Sequence, residues 1–349
     1  MKKKILFSFN ILIFNYLFCF PIKDFNYHLP NTNLSPYSAG LGGICLTNAD
    51  NHFALYDNPA LLSDVKAMTF SSSFCLPDKN QSFTDIMKTN PLMQKSVFRG
   101  LAIQAHHVGF IYHELANDHF TKSDSLNKIY QDYKLRSIGI SFADTSGGTI
   151  SWGLSIKYLD GRLVYLKENK RSVTDSSRVK TSQKLASFDT NYIIEDFIDS
   201  KSMGYASDLG IYGKKSGFYY GFVVHDLYSK LYWTNHPDKK LPTRGSFSAE
   251  LRGQNVSYIS SVTSLWNIHE TPLYCQSLNY SSNLGNPNYS QSLAIRFGAT
   301  SPNYKKSENI LFGFGTSYMI QTFKIDLSMQ TQGLKTNTAQ YMFSLSFGE

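Results

Sequence analysis

The sequence predicts an all-β protein, a transmembrane antiparallel β-barrel of about 14 strands with an N-terminal hatch in its lumen. Apolar and polar residues alternate along many segments after residue 65, and long connections take turns with short ones. Aromatic residues make up 15% of the chain and charged residues only 17%, against a usual charged share of about 25%. Disordered chains have the opposite composition, so disorder is excluded.

Residues 1–20 are expected to be a signal peptide. Lys2–Lys4 precede an apolar run, Ile5–Phe20, which is the order of a basic region and a hydrophobic region in such peptides. These three lysines supply a good part of the formal net charge of +8. The remaining balance is unremarkable and forms no basic cluster, so we expect no nucleic-acid partner.

Residues 21–64 are expected to form a hatch segment. Three closely spaced glycines permit tight turns and close backbone approach, and an Asn-Pro pair is a turn signal. A compact segment before the first strand could fill a barrel lumen, as internal plugs do. The residues that distinguish this segment are Gly40, Gly42, Gly43, Asn58, Pro59 and Ala60.

Residues 65–349 are predicted to form the barrel itself. Over residues 150–158, apolar Ile150, Trp152 and Ile156 alternate with small or polar side chains. Each such strand therefore has one apolar and one polar face, unlike a strand buried in a parallel sheet. The predicted strands are 68–76, 98–105, 107–115, 135–143, 149–159, 204–214, 217–226, 242–251, 255–266, 272–282, 290–300, 309–319, 322–331 and 339–347.

The connections support the same topology. Those after the first four odd-numbered strands span about 21, 18, 44 and 14 residues, whereas those after even-numbered strands are mostly short. Bacterial outer-membrane barrels have this asymmetry between external loops and periplasmic turns. The longest connection, around 160–203, is expected to contain a turn at Asp160-Gly161 and a short amphipathic helix, because Leu185, Phe188 and Phe197 recur at helical spacing.

The motif that runs from Gly40 to Ala60 resembles the FadL-like superfamily of outer-membrane proteins, and most of all its PorV/PorQ-like branch. The segment 221–227 and the C-terminal strands ending at Phe347 are also similar. The resemblance implies the outer membrane of a Gram-negative-type bacterium, contact with its lipids and insertion by the barrel-assembly machinery. It also implies that the glycines and the Asn-Pro-Ala triplet named above belong to a gate.

Two functions follow from this resemblance and both stay open. In FadL-like transporters the hatch gates passive diffusion of long-chain fatty acids or other hydrophobic molecules, and this is the first function expected. In PorV-like proteins the same architecture serves type IX secretion by binding the C-terminal signals of exported proteins. The sequence itself does not name the residues that would contact a ligand.

No catalytic or metal-binding chemistry is expected. His107 and His113 share a strand face but lie about 20 Å apart along it, too far to share a metal ion. The chain has no nucleophile-elbow, zinc-protease or phosphate-loop motif, so we expect neither an enzyme nor a cofactor. Cys45, Cys75 and Cys275 lack metal-ligand spacing and are expected to be unpaired, although an oxidising compartment would permit one disulfide.

Overall fold

The computed structural model describes residues 34–76, 98–123, 127–146, 148–170, 192–235, 237–266, 272–285, 290–301, 310–333 and 339–348. Fourteen antiparallel strands close into a barrel, which confirms the predicted fold class. The strands are β1 Thr69–Leu76, β2 Phe98–Ala105, β3 Val108–Ser123, β4 Asn127–Ser146, β5 Ile150–Lys170, β6 Tyr192–Lys215, β7 Phe218–Trp233, β8 Arg244–Arg252, β9 Val256–Leu265, β10 Leu273–Asn283, β11 Gln291–Ser301, β12 Leu311–Ile320, β13 Phe323–Gln332 and β14 Gln340–Gly348.

Each strand pairs with its neighbours in sequence, and β14 closes the barrel by pairing with β1. In this last pair Phe70 lies opposite Phe347, so the C-terminal strand completes the wall. Closure leaves no strand edge unpaired, which a bilayer requires of any sheet that crosses it. We call the end of the barrel where β1 finishes at Leu76 the upper end.

The apolar and polar residues that alternate in the sequence lie on opposite faces of the barrel wall. Ile156 points outward with 56% of its surface exposed, while the neighbouring Ser155 faces the lumen and is 3% exposed. The outward residues of the lower half are mainly aliphatic and aromatic, and the inward ones are mainly serine, glycine and scattered charges. This arrangement suits a wall with lipid outside and a polar lumen inside.

Strands β3 to β7 extend far above the other strands, and this corrects two predictions. Asp160-Gly161 is not a turn, because it lies within β5 and pairs with Leu135 and Arg136 of β4. The expected helix is also wrong from Tyr192 onward, where the chain forms β6; residues 185–191 lie outside the described residues. A full antiparallel ladder with β5 satisfies the backbone there and outweighs the helical spacing of a few apolar side chains.

The polarity of the wall inverts within these long strands. On β5 the outward side chains change from apolar Ile156 and Tyr158 to Asp160 and Arg162, which are exposed. At the same level the inward side chains change from Ser155 and Lys157 to buried leucines and aromatics. This upper apolar cluster comprises Leu115, Ala116, Tyr133, Leu135, Leu159, Leu163, Ala206, Leu231 and Leu241. The lower part of the barrel is thus built for lipid outside, and the upper part for water outside.

The segment before β1 lies inside the barrel. Within its described residues, 34–64, it forms two short helices, α1 Pro36–Gly40 and α2 Ala54–Asp57, and a 3-10 helix, Pro59–Asp64. We call residues 34–64 the hatch. The expected signal peptide and residues 21–33 lie outside the described residues. No helix in the described ranges is long and apolar enough to cross a membrane.

Candidate functional site: the hatch and the lumen

The hatch owes its compact shape to side chains that cap its short helices. The Ser35 hydroxyl accepts a hydrogen bond from the Tyr37 backbone amide (3.1 Å) and so starts α1. The Asn58 Oδ1 accepts one from the Ala60 amide (3.1 Å), and Pro59 stands at the first position of the 3-10 helix. Proline suits that position because its fixed φ matches the helix and its missing amide donor is not needed.

Asn58 also ties the hatch to the wall. Its Nδ2 donates to the Leu46 carbonyl oxygen (3.2 Å) within the hatch and to the Ile211 carbonyl oxygen (3.0 Å) on β6. Asn58 is fully buried, so all three of its hydrogen bonds are shielded from water. One side chain therefore shapes the 3-10 helix, braces the preceding loop and anchors both to the barrel.

The glycine-rich half of the hatch rests on the opposite wall. Gly42 and Gly43 have φ values of +86° and +102°, a conformation that other residues adopt only with strain. This turn lets the Gly42 carbonyl oxygen accept a hydrogen bond from the Thr300 hydroxyl (2.8 Å) on β11. The Ala39 carbonyl oxygen likewise accepts one from Gln330 Nε2 (3.1 Å) on β13.

Glycines of the barrel wall make room for the hatch backbone. A Cβ on Gly153 of β5 would come well inside 3.0 Å of the backbone of Pro59 and Ala60, a distance that real Cβ atoms do not reach. At three other inward positions an added Cβ would likewise collide with the hatch backbone, and at Gly210 it would collide with the Asn58 side chain. These wall glycines are Gly210, Gly221, Gly298 and Gly313. Wall and hatch thus fit each other backbone to backbone on opposite sides of the lumen.

Asp57 is the hub of the hatch itself. Its Oδ2 accepts hydrogen bonds from the Ser38 hydroxyl and from Asn51 Nδ2 (2.7 Å), which joins α1 to α2. Asn51 in turn accepts a bond from Ser35 (2.8 Å). Burial raises the pKa of Asp57 from its ordinary value of 3.8 to about 7, against the lowering effect of these hydrogen bonds. The hub is therefore a carboxyl group that changes charge near neutral pH.

A buried ion network lies in the lumen beside the hatch. Lys157 Nζ of β5 lies 2.7 Å from Asp208 Oδ1 of β6 and 2.5 Å from Asp226 Oδ1 of β7. His225 Nδ1 lies 3.4 Å from the second oxygen of Asp208. The ring of Tyr56, from hatch helix α2, stacks on His225 with 6.0 Å between ring centroids. Hatch helix α2 is thus seated on a network in which one lysine bridges two carboxylates.

A second charged contact holds helix α1. The guanidinium of Arg296 lies 3.8 Å from the ring centroid of Tyr37, and Lys324 Nζ lies 5.2 Å from it. Arg296 is bound to Asp326 (3.1 Å), and Lys324 Nζ also donates to the Asp50 carbonyl oxygen (2.9 Å). Cation–π contacts of this kind are strongest where water is excluded, as it is here.

The structure places five of the six predicted hatch residues against the wall, in two groups. Gly40 and Gly42 lie beside β11 and β12, whereas Asn58, Pro59 and Ala60 lie beside β5 and β6. Gly43 follows Gly42 in the turn, where its amide donates to the Ser38 carbonyl oxygen of the hatch (2.7 Å). Sequence reasoning missed Tyr56, Asp57 and Lys157. A lone lysine on the polar face of a predicted strand was the available signal for Lys157, because such a charge requires a partner inside a barrel.

The described residues contain no disulfide and no group of three potential metal ligands. Cys45, Cys75 and Cys275 are all buried thiols, and Cys275 Sγ donates to the Leu41 carbonyl oxygen of the hatch (3.1 Å). None of these three thiols is in a disulfide among the described residues, and Cys75 Sγ accepts a hydrogen bond from Gln340 Nε2 (3.0 Å).

Solved protein structures share this fold at low sequence identity. No protein-family model and no curated protein matches the chain. The toluene transporter TbuX of Ralstonia pickettii superposes with a TM-score of 0.54 at 11% identity, over 90% of this chain and 98% of that one. A FadL homologue of Pseudomonas aeruginosa gives 0.50 at 9% identity, over 92% and 99%.

The toluene transporter TodX of Pseudomonas putida gives a TM-score of 0.50 at 11% identity, over 91% of this chain and 99% of that one. Identities this low show a common fold and no more. The similarity nevertheless extends over 90–92% of this chain and over nearly the whole of each solved chain. The chain therefore has the fold of the FadL-like barrel transporters, and the PorV/PorQ-like branch of the resemblance is not shown.

Proposed function

We propose that the protein is an outer-membrane channel for the passive movement of hydrophobic small molecules, gated by the hatch. The observation that carries the proposal is the inverted polarity of the long strands. An apolar cluster faces inward at the upper end, directly where a solute from outside would enter. A porin for polar solutes has a polar interior instead.

The hatch supplies the gate in this proposal. Apart from its main-chain link to β1, it is held by separable contacts, namely hydrogen bonds, ring stacking and close backbone packing, and by no disulfide among the described residues. A segment held in this way can shift when a ligand competes for its contacts, provided that the ligand binds the open arrangement more tightly than the closed one.

The test is to delete residues 38–62 and to measure entry of a hydrophobic fluorescent dye into proteoliposomes. The deletion is expected to raise dye entry. Entry of a sugar is measured in parallel as the comparison with a polar solute. Circular dichroism and a faster gel mobility of the unheated than of the heated protein would establish that the barrel still folds. Dye entry that is unchanged in a folded deletion variant would contradict gating by the hatch.

A role in type IX secretion, the second function that the resemblance implies, stays a prediction. It requires co-purification with exported proteins that carry C-terminal sorting domains. The channel is the favoured proposal because the upper apolar cluster points into the lumen, whereas the outer face around it carries exposed charges such as Asp160 and Arg162.

A further inference from the structure

Wall and hatch enclose a small cavity at the upper end of β8, beside Arg244. Its volume is about 130 Å³, close to the roughly 150 Å³ of a cavity that accommodates one benzene molecule. The hatch contributes Ile44 and Tyr56 to its lining, and the wall contributes Arg244, Thr300 and the leucines Leu273 and Leu311. A single ring with a short substituent is sufficient to fill this space.

The lining of the cavity has a polar and an apolar part. Ile44, Leu273 and Leu311 are apolar, while Arg244, Asp57, His225 and the nearby hydroxyls are polar. Three of the hydroxyls are already engaged, because Ser246 and Thr263 are hydrogen-bonded to each other at 2.6 Å and Thr300 is bonded to the hatch. Arg244 is the guanidinium of this lining and the group suited to bind an anion.

Arg244 has no carboxylate partner within 4.0 Å among the described residues. Asp226 on the adjacent strand β7 and Asp208 on β6 are both bound to Lys157. Asp57, which also lines the cavity, lies close enough to interact with Arg244 electrostatically, and its Oδ2 accepts hydrogen bonds from Ser38 and Asn51 inside the hatch. A guanidinium remains charged at every physiological pH and presents five donors in a planar fork.

We propose that this cavity binds a compact organic carboxylate of one ring, with its carboxylate on Arg244 and its ring against Leu273 and Leu311. The proposal rests on the channel function and deepens it by naming the substrate class, a small aromatic acid. Arginine pairs with a carboxylate through two parallel hydrogen bonds, which a neutral hydrocarbon of the same size cannot form. Since Tyr56 and Ile44 belong to the hatch, a ligand in this cavity would touch the gate directly.

The test compares benzoate with toluene, which has the same ring and no charge. Binding of each to the purified full-length protein in detergent is measured by titration calorimetry, for wild type and for Arg244→Gln. We expect Arg244→Gln to weaken benzoate binding by about tenfold or more, since a hydrogen bond to a charged group is lost, and to leave toluene binding unchanged. Arg162→Gln, on the outer face of β5, is the matched control and should change neither.

Three outcomes would overturn the site. These are an unchanged benzoate affinity in Arg244→Gln, an equal loss of benzoate and toluene, and tighter binding of a sixteen-carbon carboxylate than of benzoate by the wild type. The proposed function has a separate readout. If hydrophobic dye still enters proteoliposomes but benzoate does not bind, the carboxylate site alone is wrong; if neither occurs, the channel is wrong as well.

Discussion

The side-chain amide of Asn58 donates a hydrogen bond to the Ile211 carbonyl oxygen across 3.0 Å, and this bond joins the hatch to β6. Asn58→Ala removes it together with the bonds to Leu46 and Ala60. A buried polar group left without a partner costs about 1–3 kcal/mol. We therefore expect backbone amides of the hatch to exchange with deuterium about tenfold faster or more, as measured by mass spectrometry of hatch peptides.

The control for this variant is Asn235→Ala. Asn235 Nδ2 also donates to a backbone carbonyl oxygen, that of Asp199 at 3.1 Å, but the bond is exposed at the upper end and distant from the hatch. Exchange in the hatch should not respond to this change. Equal exchange in the two variants would show that Asn58 does not hold the hatch.

Gly153→Ala tests the fit between wall and hatch. Its Cβ would collide with the backbone of Pro59 and Ala60, which cannot swing aside as a side chain can. We expect the 3-10 helix to be displaced and dye entry to rise while the barrel remains folded. Gly139→Ala is the matched wall variant, because its Cβ would meet mainly side-chain atoms of Ile111 and Lys157 and none of the hatch. Wild-type dye entry in Gly153→Ala would argue against this contact as part of the gate.

The stability of the closed hatch should depend on pH through Asp57. Its pKa is raised by burial from 3.8 to about 7, so between these values the closed hatch holds a proton that a released hatch gives up. The closed state therefore loses stability as the pH rises from about 4 to about 7. Hydrogen exchange in the hatch, corrected for the intrinsic rate, should accelerate over this window in the wild type.

Asp57→Asn should flatten this pH dependence, since the amide does not titrate. Asp144→Asn, an exposed change on β4, should preserve it. If the pH dependence of hatch exchange persists unchanged in Asp57→Asn, another titrating group is responsible for it.

Lys157 should matter far more to stability than Arg162 although each forms an ion pair on β5. Lys157→Met leaves Asp208 and Asp226 buried without a counter-charge, a loss of about 3–5 kcal/mol. Arg162 and Asp199 are largely exposed, so solvent screens their attraction and Arg162→Met should change stability little. Urea unfolding in lipid vesicles measures both. Similar losses for the two variants would contradict the burial of the luminal network.

Arginine substitutions on the outward face of β5 can locate the level at which the outer surface of the barrel changes from apolar to polar. Ile156→Arg places a cation on the outward face of the lower part, where a bilayer penalises it by about 2–4 kcal/mol. Asp160→Arg, four residues above on the same face, lies among exposed charges and should be tolerated. Urea unfolding of the vesicle-embedded protein provides the comparison. Equal tolerance at both positions would place the bilayer elsewhere.

The barrel was predictable because alternation is a local property of the chain. Every one of the fourteen predicted strands is present, with starting residues close to those observed except at β4 and β6. The upper parts of β3 to β7 were missed for a physical reason. Their apolar residues shift to the other face at Tyr158–Leu159, and this change of phase looks like the end of a strand when only an apolar-out pattern is sought.

The site was predictable only in part. Glycines and the Asn-Pro pair mark backbone geometry, which the local sequence specifies, so Gly42 and Asn58 could be named in advance. The wall partners of the hatch could not be named, because Ile211 and Thr300 reach it only through barrel closure and register. The pKa of Asp57 and the isolation of Arg244 likewise depend on which groups the fold brings near them.

The wall glycines that receive the hatch also limit how this protein can be rebuilt. A hatch taken from another barrel would meet depressions shaped for the backbone at Leu46 and Ala60 and for the side chain of Asn58. Conversely, this hatch would not seat in a barrel whose inward positions carry larger side chains. The hatch and the barrel wall therefore match each other. Any chimera must carry the five wall glycines together with the hatch that packs against them.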